Sequence, residues 1–82
     1  MTVRVAYPDG FLVVEGSRVY LFRKRLYSAP LEEILRAAHG DDSLLHPALK
    51  EVSRDVAALV ERGLLQPSFE YFGGVLRQKA NA

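Results

Sequence analysis

The first quarter of the chain carries short apolar segments of the length and composition that favour β-strands. Three such segments occur, around Val3 and Val5, over Phe11–Val14 and over Val19–Phe22. The second and third are apolar at consecutive positions, so both faces of the resulting sheet should be apolar. Because apolar surface in contact with water is unfavourable, either the C-terminal segment or a second copy of the chain is expected to cover the second face.

Turn-forming residues separate these segments. Tyr7-Pro8-Asp9-Gly10 combines a proline that presets φ, an aspartate that can cap the turn and a glycine that is expected to take a positive φ. Glu15-Gly16-Ser17-Arg18 is a second tight turn with Gly-Ser at its centre. The sequence therefore predicts a three-stranded N-terminal meander.

The middle of the chain changes to the period of amphipathic helices. A first helix is predicted to begin near Pro30 and to stop at Gly40, since proline suits the first helical position and glycine a left-handed stop. Residues 43–49 are either an irregular turn or the start of a longer helix, which runs to about Arg62 and stops at Gly63. The predicted buried stripe of this longer helix is Leu49, Val52, Val56, Leu59 and Val60.

The segment after Pro67 predicts a β-hairpin, with strands over Ser68–Phe72 and Val75–Arg77 joined by Gly73-Gly74. We therefore expect one α+β domain over residues 1–77, with the three-stranded meander, two main helices and the C-terminal hairpin. Residues 78–82 are expected to form a flexible tail. A chain of 82 residues buries only a thin core, which together with the two-faced apolar sheet favours a homodimer.

Composition excludes several classes of protein. The chain has no cysteine and hence no disulfide framework, and no apolar run approaches the roughly 20 residues that span a bilayer. The N-terminus lacks the apolar core of a signal peptide. We therefore expect a cytoplasmic protein with no membrane partner.

Residues that could support catalysis are few and scattered. His39 and His46 are separated by Gly40 and Pro47, which interrupt any helix that would bring the two rings together, so a shared metal site is not expected. Gly73-Gly74 lacks the Lys-Ser/Thr and the following helix of a phosphate-binding loop. We expect neither an enzyme nor a bound cofactor.

Positive charge is concentrated towards the N-terminus. Residues 1–27 carry five basic and two acidic side chains, whereas residues 28–82 carry six basic and eight acidic ones. The densest basic cluster, Arg23-Lys24-Arg25, lies near Tyr20, Phe22 and Tyr27, and basic residues interleaved with aromatic ones can bind nucleic acid. A solvated strand end that discourages edge-to-edge pairing would explain the same cluster.

The segment Val52–Leu65, VSRDVAALVERGLL, ends a helix at a glycine that is followed directly by two leucines. This ending resembles the last helix of winged-helix domains, and it is also typical of any amphipathic helix whose C-capping glycine leads into a buried strand. The winged-helix resemblance implies that the helix enters the DNA major groove and that the closing hairpin is the wing. The implied base-reading strip is Lys50, Ser53, Arg54 and Ala57, and Arg77 on the wing would lie near a phosphate. The basic cluster Arg23, Lys24 and Arg25 would supply further phosphate contacts.

The order of segments is also similar to that of PqqD-like peptide-recognition domains, which place a small sheet first and end on a helix followed by Gly-Leu-Leu. Val13–Phe22, Leu31–Gly40 and Val52–Leu65 follow that order here. The resemblance implies a peptide bound as an added strand beside the sheet and against the last helix. The candidate partner contacts are Tyr20, Phe22, Tyr71 and Phe72, of which the last two are otherwise explained as core or dimer-interface residues.

Two functions follow from these patterns. The first is a small, non-catalytic, winged-helix-like DNA-binding regulator of transcription. The alternative is a protein- or peptide-binding module or adaptor that uses the sheet edge and the last helix, in one form acting on the transcription machinery by protein contact. The position of Arg23–Arg25 relative to Lys50 and Arg54 separates them, because a shared face favours DNA and opposed faces favour a protein partner.

Overall fold

A computed structural model describes residues 2–41, 45–67, 69–72 and 75–78, the last two ranges through their backbone alone. The chain is an α+β fold in which a four-stranded antiparallel sheet comes first and two helices follow. The sheet consists, in chain order and in spatial order, of β1 (Thr2–Tyr7), β2 (Gly10–Glu15), β3 (Arg18–Arg23) and β4 (Arg25–Pro30). The later elements are α1 (Leu31–Ala38), α2 (Pro47–Glu61), β5 (Phe69–Phe72) and β6 (Val75–Gln78).

Alternation along the strands gives the sheet two different faces. The helices pack on one of them, here called the inner face, whose buried residues are Leu12, Val14, Val19, Leu21 and Ala29. The opposite face is here called the outer face. Its three rows across the four strands are Ala6, Phe11, Phe22 and Leu26; Arg4, Val13, Tyr20 and Ser28; and Thr2, Glu15, Arg18 and Pro30.

The first helix begins directly where β4 ends. Pro30 is both the last strand residue and the N-cap of α1, and the Leu31 N–H donates to the Ser17 carbonyl at 2.7 Å. The apolar stripe Leu31, Ile34 and Leu35 is buried. Gly40 takes a φ of +96°, so the predicted left-handed stop after this helix is confirmed.

The second helix begins at Pro47. His46 takes an extended conformation, with φ −60° and ψ 140°, and its ring Nδ1 accepts a hydrogen bond from the Ala48 N–H at 3.1 Å. The His46 side chain thus satisfies one of the N–H groups that the first turn of a helix leaves unpaired. Residues 43–49 were predicted to be an irregular turn or the start of the longer helix. The helix in fact begins within that segment, at Pro47.

The predicted stop at Gly63 is confirmed. Gly63 has a φ of +76°, and the N–H groups of Leu64 and Leu65 both donate to the Leu59 carbonyl, at 2.9 Å and 3.2 Å. Leu65 is buried and Leu64 is exposed, so the chain leaves the helix with one leucine returning to the core. The predicted stripe of this helix is also confirmed, since Leu49, Val52, Val56 and Leu59 are buried and Val60 packs against the core.

α2 crosses the strands of the sheet rather than running along them. Just before it begins, His46 contacts Tyr27 on β4. Further along the helix, Glu51 pairs with Arg23 on β3, and Asp55 accepts a hydrogen bond from Tyr7 on β1. The helix therefore begins at the β4 edge of the sheet and reaches the β1 edge about two turns later.

The prediction of a three-stranded meander is wrong by one strand, because β4 was missed. A single residue, Lys24, connects β3 to β4, and it takes a φ of +60° although it is not a glycine. Sequence patterns place positive φ at glycine or asparagine, so an Arg-Lys-Arg run gives no turn signal. Arg25–Pro30 also ends in a proline, which suggested a helix start rather than a strand end.

The first turn is correctly placed, but the reason given for its glycine is wrong. Tyr7 pairs with Gly10, so the two-residue loop is Pro8-Asp9, yet Gly10 has no positive φ. The glycine is required by space instead. A Cβ at this position would lie 1.9 Å from the carbonyl oxygen of Phe22 on the neighbouring strand.

The C-terminal strands β5 and β6 pair with each other as an antiparallel two-stranded sheet, in which Phe69 lies opposite Gln78. Over the described residues the predicted hairpin strands agree with β5 and β6, except that the second strand runs one residue further. Gln78 belongs to β6 rather than to the predicted tail. Ser68, Gly73-Gly74 and residues 79–82 lie outside the described residues.

Candidate functional site

β4 forms one edge of the four-stranded sheet, and over the residues that the structure describes no strand pairs with its other side. The bond from the Leu31 N–H to the Ser17 carbonyl fixes the phase of the β3–β4 ladder, because hydrogen-bonded and non-hydrogen-bonded pairs alternate along antiparallel strands. Tyr27 and Ala29 therefore bond to β3. Leu26 and Ser28 direct their N–H and carbonyl groups towards the open edge.

The start of α2 lies beside this edge. The rings of Tyr27 and His46 are 4.6 Å apart between centroids, at an angle of 41°. A shallow surface pocket of about 180 Å³ is lined there by Asp9, Arg23, Lys24, Tyr27, Ala48 and Glu51. No acidic residue lies in the first turn of α2, so nothing in that turn neutralises the positive end of the helix.

Arg23 does not offer the free charge that its place in the basic cluster suggested. Its Nη1 donates to Glu51 Oε2 at 2.7 Å, and its Nε lies 3.1 Å from Asp9 Oδ2 without the alignment of a hydrogen bond. The guanidinium also lies over the ring of Tyr7, 5.2 Å from its centroid. Only 22% of the Arg23 side chain is exposed. The prediction that Arg23 contacts phosphates stays a prediction, and the two carboxylates that already pair with its guanidinium argue against it.

The basic cluster and α2 do meet, but at an ion pair. Glu51, the partner of Arg23, is the direct chain neighbour of Lys50. Where the cluster approaches the helix, Glu51 therefore neutralises the charge of Arg23, which is then not added to a shared DNA-binding face. Lys24 and Arg25 remain exposed beside it.

Only part of the predicted base-reading strip on α2 is exposed. Ser53 is 4% exposed and its hydroxyl donates to the Lys50 carbonyl at 2.7 Å, so its prediction as an exposed DNA contact is wrong. Ala57 is half-buried and packs against the core, which leaves little room for close approach to a base. Lys50 is half-buried and Arg54 is exposed. DNA recognition by this helix stays a prediction that now rests on Lys50 and Arg54.

The predicted partner contacts lie in different places. Phe22 is 44% exposed on the outer face and Tyr20 is half-buried in the next row of the same face. Tyr71, Phe72 and Arg77 lie in the paired strands β5 and β6, and the predicted contacts of their side chains fall outside what the structure describes.

Several candidate residues were missed by sequence reasoning. Leu26 and Ser28 were not recognised because their strand was not. Phe11 and Arg4 were assigned to strands without a role, although the three-strand register alone would have placed Phe11 beside Phe22. The signal for Phe11 was therefore present in the sequence, in the strand spacing on either side of the Gly16 turn.

A second polar contact fastens α2 to the sheet. The Tyr7 hydroxyl donates to Asp55 Oδ2 at 2.5 Å. Burial of the phenol, and then its hydrogen bond to the Asp55 carboxylate, raise the pKa of Tyr7 well above its usual value. Tyr7 therefore stays protonated in the folded chain at pH values where a free tyrosine would ionise.

Stability should consequently fall at alkaline pH. Above the ordinary tyrosine pKa of 10.0, the unfolded chain loses the Tyr7 proton while the folded chain keeps it, so the free energy of unfolding falls by up to about 1.4 kcal/mol per pH unit. We expect Tyr7→Phe to remove this part of the slope, at a cost of about 1 kcal/mol at neutral pH for the lost hydrogen bond. Urea titrations at several pH values measure both the slope of stability against pH and the loss of stability at neutral pH. Tyr20→Phe, on the outer face, is the control, and an equal change of slope in that variant would contradict the assignment.

The described residues contain no group of three or more His, Cys, Asp or Glu side chains that could hold a metal ion. Within the same part of the chain, neither helix has the length and apolarity needed to cross a membrane. Comparison with protein-family models, with curated proteins and with solved structures gives no match to this chain.

Proposed function

We propose that this chain is a small peptide-binding module without catalytic activity, which takes an extended peptide as an added strand beside β4 and against the start of α2. The observation that supports this most directly is the open β4 edge next to a helix start. α1 and α2 both contact β4, and in this proposal they support the sheet edge.

The main chain of β4 supplies the affinity. An edge strand presents unpaired N–H and carbonyl groups that an incoming strand can bond. Leu26 and Ser28 present theirs two residues apart, which is the repeat that an antiparallel partner strand requires. Pro30 ends this register because it has no N–H, so the bound segment is about four or five residues long.

Side chains around the edge supply the selectivity. Tyr27 and Ala48 line the apolar part of the pocket at the start of α2. Asp9 and Glu51 in the same lining are paired with Arg23, whereas Lys24 and Arg25 are exposed beside the pocket. The first turn of α2 adds the positive end of a helix. We therefore expect a peptide that combines an apolar side chain with at least one acidic one.

The opposite edge of the sheet, β1, is a poorer candidate. The second half of α2 lies beside β1, where the hydrogen bond between Tyr7 and Asp55 holds the helix against that strand. At β4 the corresponding contact is a ring contact between Tyr27 and His46, with an open pocket beside it.

Selection from a random-peptide library followed by calorimetry tests the proposal. We expect enriched peptides to bind the wild-type chain, and Ser28→Pro to weaken that binding at least about tenfold, because it removes an outward N–H from the edge. Ser28→Ala is the matched control. It removes the hydroxyl that accepts from Arg18 but keeps the N–H, and its affinity should stay within about twofold.

Circular dichroism of both variants verifies that the sheet is retained, which is expected because proline is tolerated on edge strands where its missing N–H faces outwards. The proposal fails if no peptide is enriched over a bare surface, or if folded Ser28→Pro binds the enriched peptides as tightly as the wild type.

A further inference from the structure

The outer face of the sheet is an exposed apolar and aromatic surface whose rings lie outside the β4 edge. Phe11 is 38%, Phe22 44% and Leu26 65% exposed, and they lie side by side in one row. Exposed apolar residues scattered singly need no explanation, but a contiguous row on a sheet marks a contact surface.

We propose that the outer face binds single-stranded RNA, with one base stacked on Phe22 at the end of the Arg4–Phe11–Phe22 array, a second base against Tyr20, and phosphates held by Arg4 and Lys24. Sheets that carry aromatic side chains on their central strands bind unpaired bases by stacking, because every base has a π-face. This surface shares Lys24, Arg25 and Leu26 with the β4 edge, but its aromatic rings take no part in the proposed peptide binding, so Phe22 variants test the two proposals separately.

Three aromatic rings lie on the two central strands of this face. Tyr20 and Phe22 are alternate residues of β3, and Phe11 is the direct cross-strand neighbour of Phe22 on β2. The Phe11 and Phe22 rings are stacked, with centroids 5.6 Å apart and planes at 22°. The Arg4 guanidinium lies 5.3 Å from the Phe11 centroid, so the planar groups form an array that runs from Arg4 to Phe22. A base added beside Phe22 extends that array over Leu26.

The charge of the surface matches a polyanion. The outer face carries Arg4 and Arg18 against one acid, Glu15, which lies directly opposite Arg18. Lys24 and Arg25 add two exposed cations at the adjoining β3–β4 connection. Two copies of the chain stacked through these faces would bring like charges together, which disfavours a self-paired sheet and favours phosphates.

RNA fits the surface better than single-stranded DNA. Tyr20 lies in the middle row of the outer face, next to the row of Phe11 and Phe22, and its side chain carries a phenol hydroxyl that can bond a sugar hydroxyl. A 2′-hydroxyl both donates and accepts hydrogen bonds, and it is the group that distinguishes RNA from DNA at a binding site.

Fluorescence anisotropy with a labelled oligouridylate of about eight nucleotides tests the proposal. We expect binding that weakens with salt, and a loss of at least about tenfold in both Phe22→Ala and Phe22→Leu. The leucine variant keeps the apolar bulk and removes only the ring, so it separates stacking from hydrophobic contact. Arg4→Ala should weaken binding more than Arg62→Ala, which removes the same charge from the exposed end of α2.

Four results would overturn the proposal. Phe22→Leu could bind as tightly as the wild type, or Arg62→Ala could lose as much affinity as Arg4→Ala. The oligodeoxyuridylate of the same length, which lacks only the 2′-hydroxyls, could bind as tightly as the RNA. Light scattering could show a dimer that Phe22→Ala dissociates and that excludes the oligonucleotide, in which case a second copy covers this face.

Discussion

Replacing Gly10 by alanine should lower the free energy of unfolding by about 3 kcal/mol or more, a large part of the stability of so small a domain. The added Cβ would lie 1.9 Å from the Phe22 carbonyl oxygen, 3.0 Å from its carbonyl carbon and 3.4 Å from the Arg23 Cα. All three atoms belong to the backbone of β3, which is paired on both sides and cannot move without breaking a ladder. No side chain can rotate away to relieve the clash.

Gly16→Ala is the matched control for Gly10→Ala. Gly16 has a φ of +60°, and a Cβ there would meet nothing within 4 Å. Alanine at this position should therefore lower the free energy of unfolding only by the strain of the left-handed backbone, about 1–2 kcal/mol. Urea denaturation followed by circular dichroism gives both values. If Gly16→Ala costs as much as Gly10→Ala, the close approach of Gly10 to β3 does not exist in solution.

The two glycines also illustrate what the sequence can predict. Both turns were located correctly from residue type, because proline, aspartate and glycine act within a few residues of each other. The sequence did not show which glycine needs a positive φ and which one needs space. That distinction depends on Phe22, which belongs to a different strand and is brought there by the sheet register.

The candidate sites differ in the same way. The helix ends at Gly40 and Gly63 were predictable because capping is local. The sequestration of Arg23 was not, because its partners Asp9 and Glu51 come from distant parts of the chain. Ser53 was misplaced by a smaller error. It borders the buried stripe of α2, where helical periodicity alone does not decide between the core and the solvent.

The homodimer expected from the sequence stays a prediction, and it bears on the same row of residues as the RNA proposal. The apolar second face was recognised from consecutive apolar residues, and the structure leaves Phe11, Phe22 and Leu26 of that face exposed. Over the described residues, the helices pack on the inner face instead. Whether the outer face is open in solution can be decided by comparing neighbouring positions on one strand.

Leu21→Ala should cost about 3 kcal/mol of unfolding free energy, and Phe22→Ala at most about half as much. The two residues are adjacent on β3, but Leu21 is fully buried on the inner face, so its truncation leaves a cavity in the core. Phe22 loses mainly its stacking on Phe11 and surface that water already reaches. Urea denaturation at two protein concentrations measures the difference. If the two variants lose equal stability, and if the losses depend on protein concentration, another copy of the chain buries Phe22. That copy would cover the surface on which RNA binding depends. If Leu21→Ala costs much more than Phe22→Ala at both protein concentrations, the aromatic surface is open to a partner, because the core on the inner face is complete without Phe22.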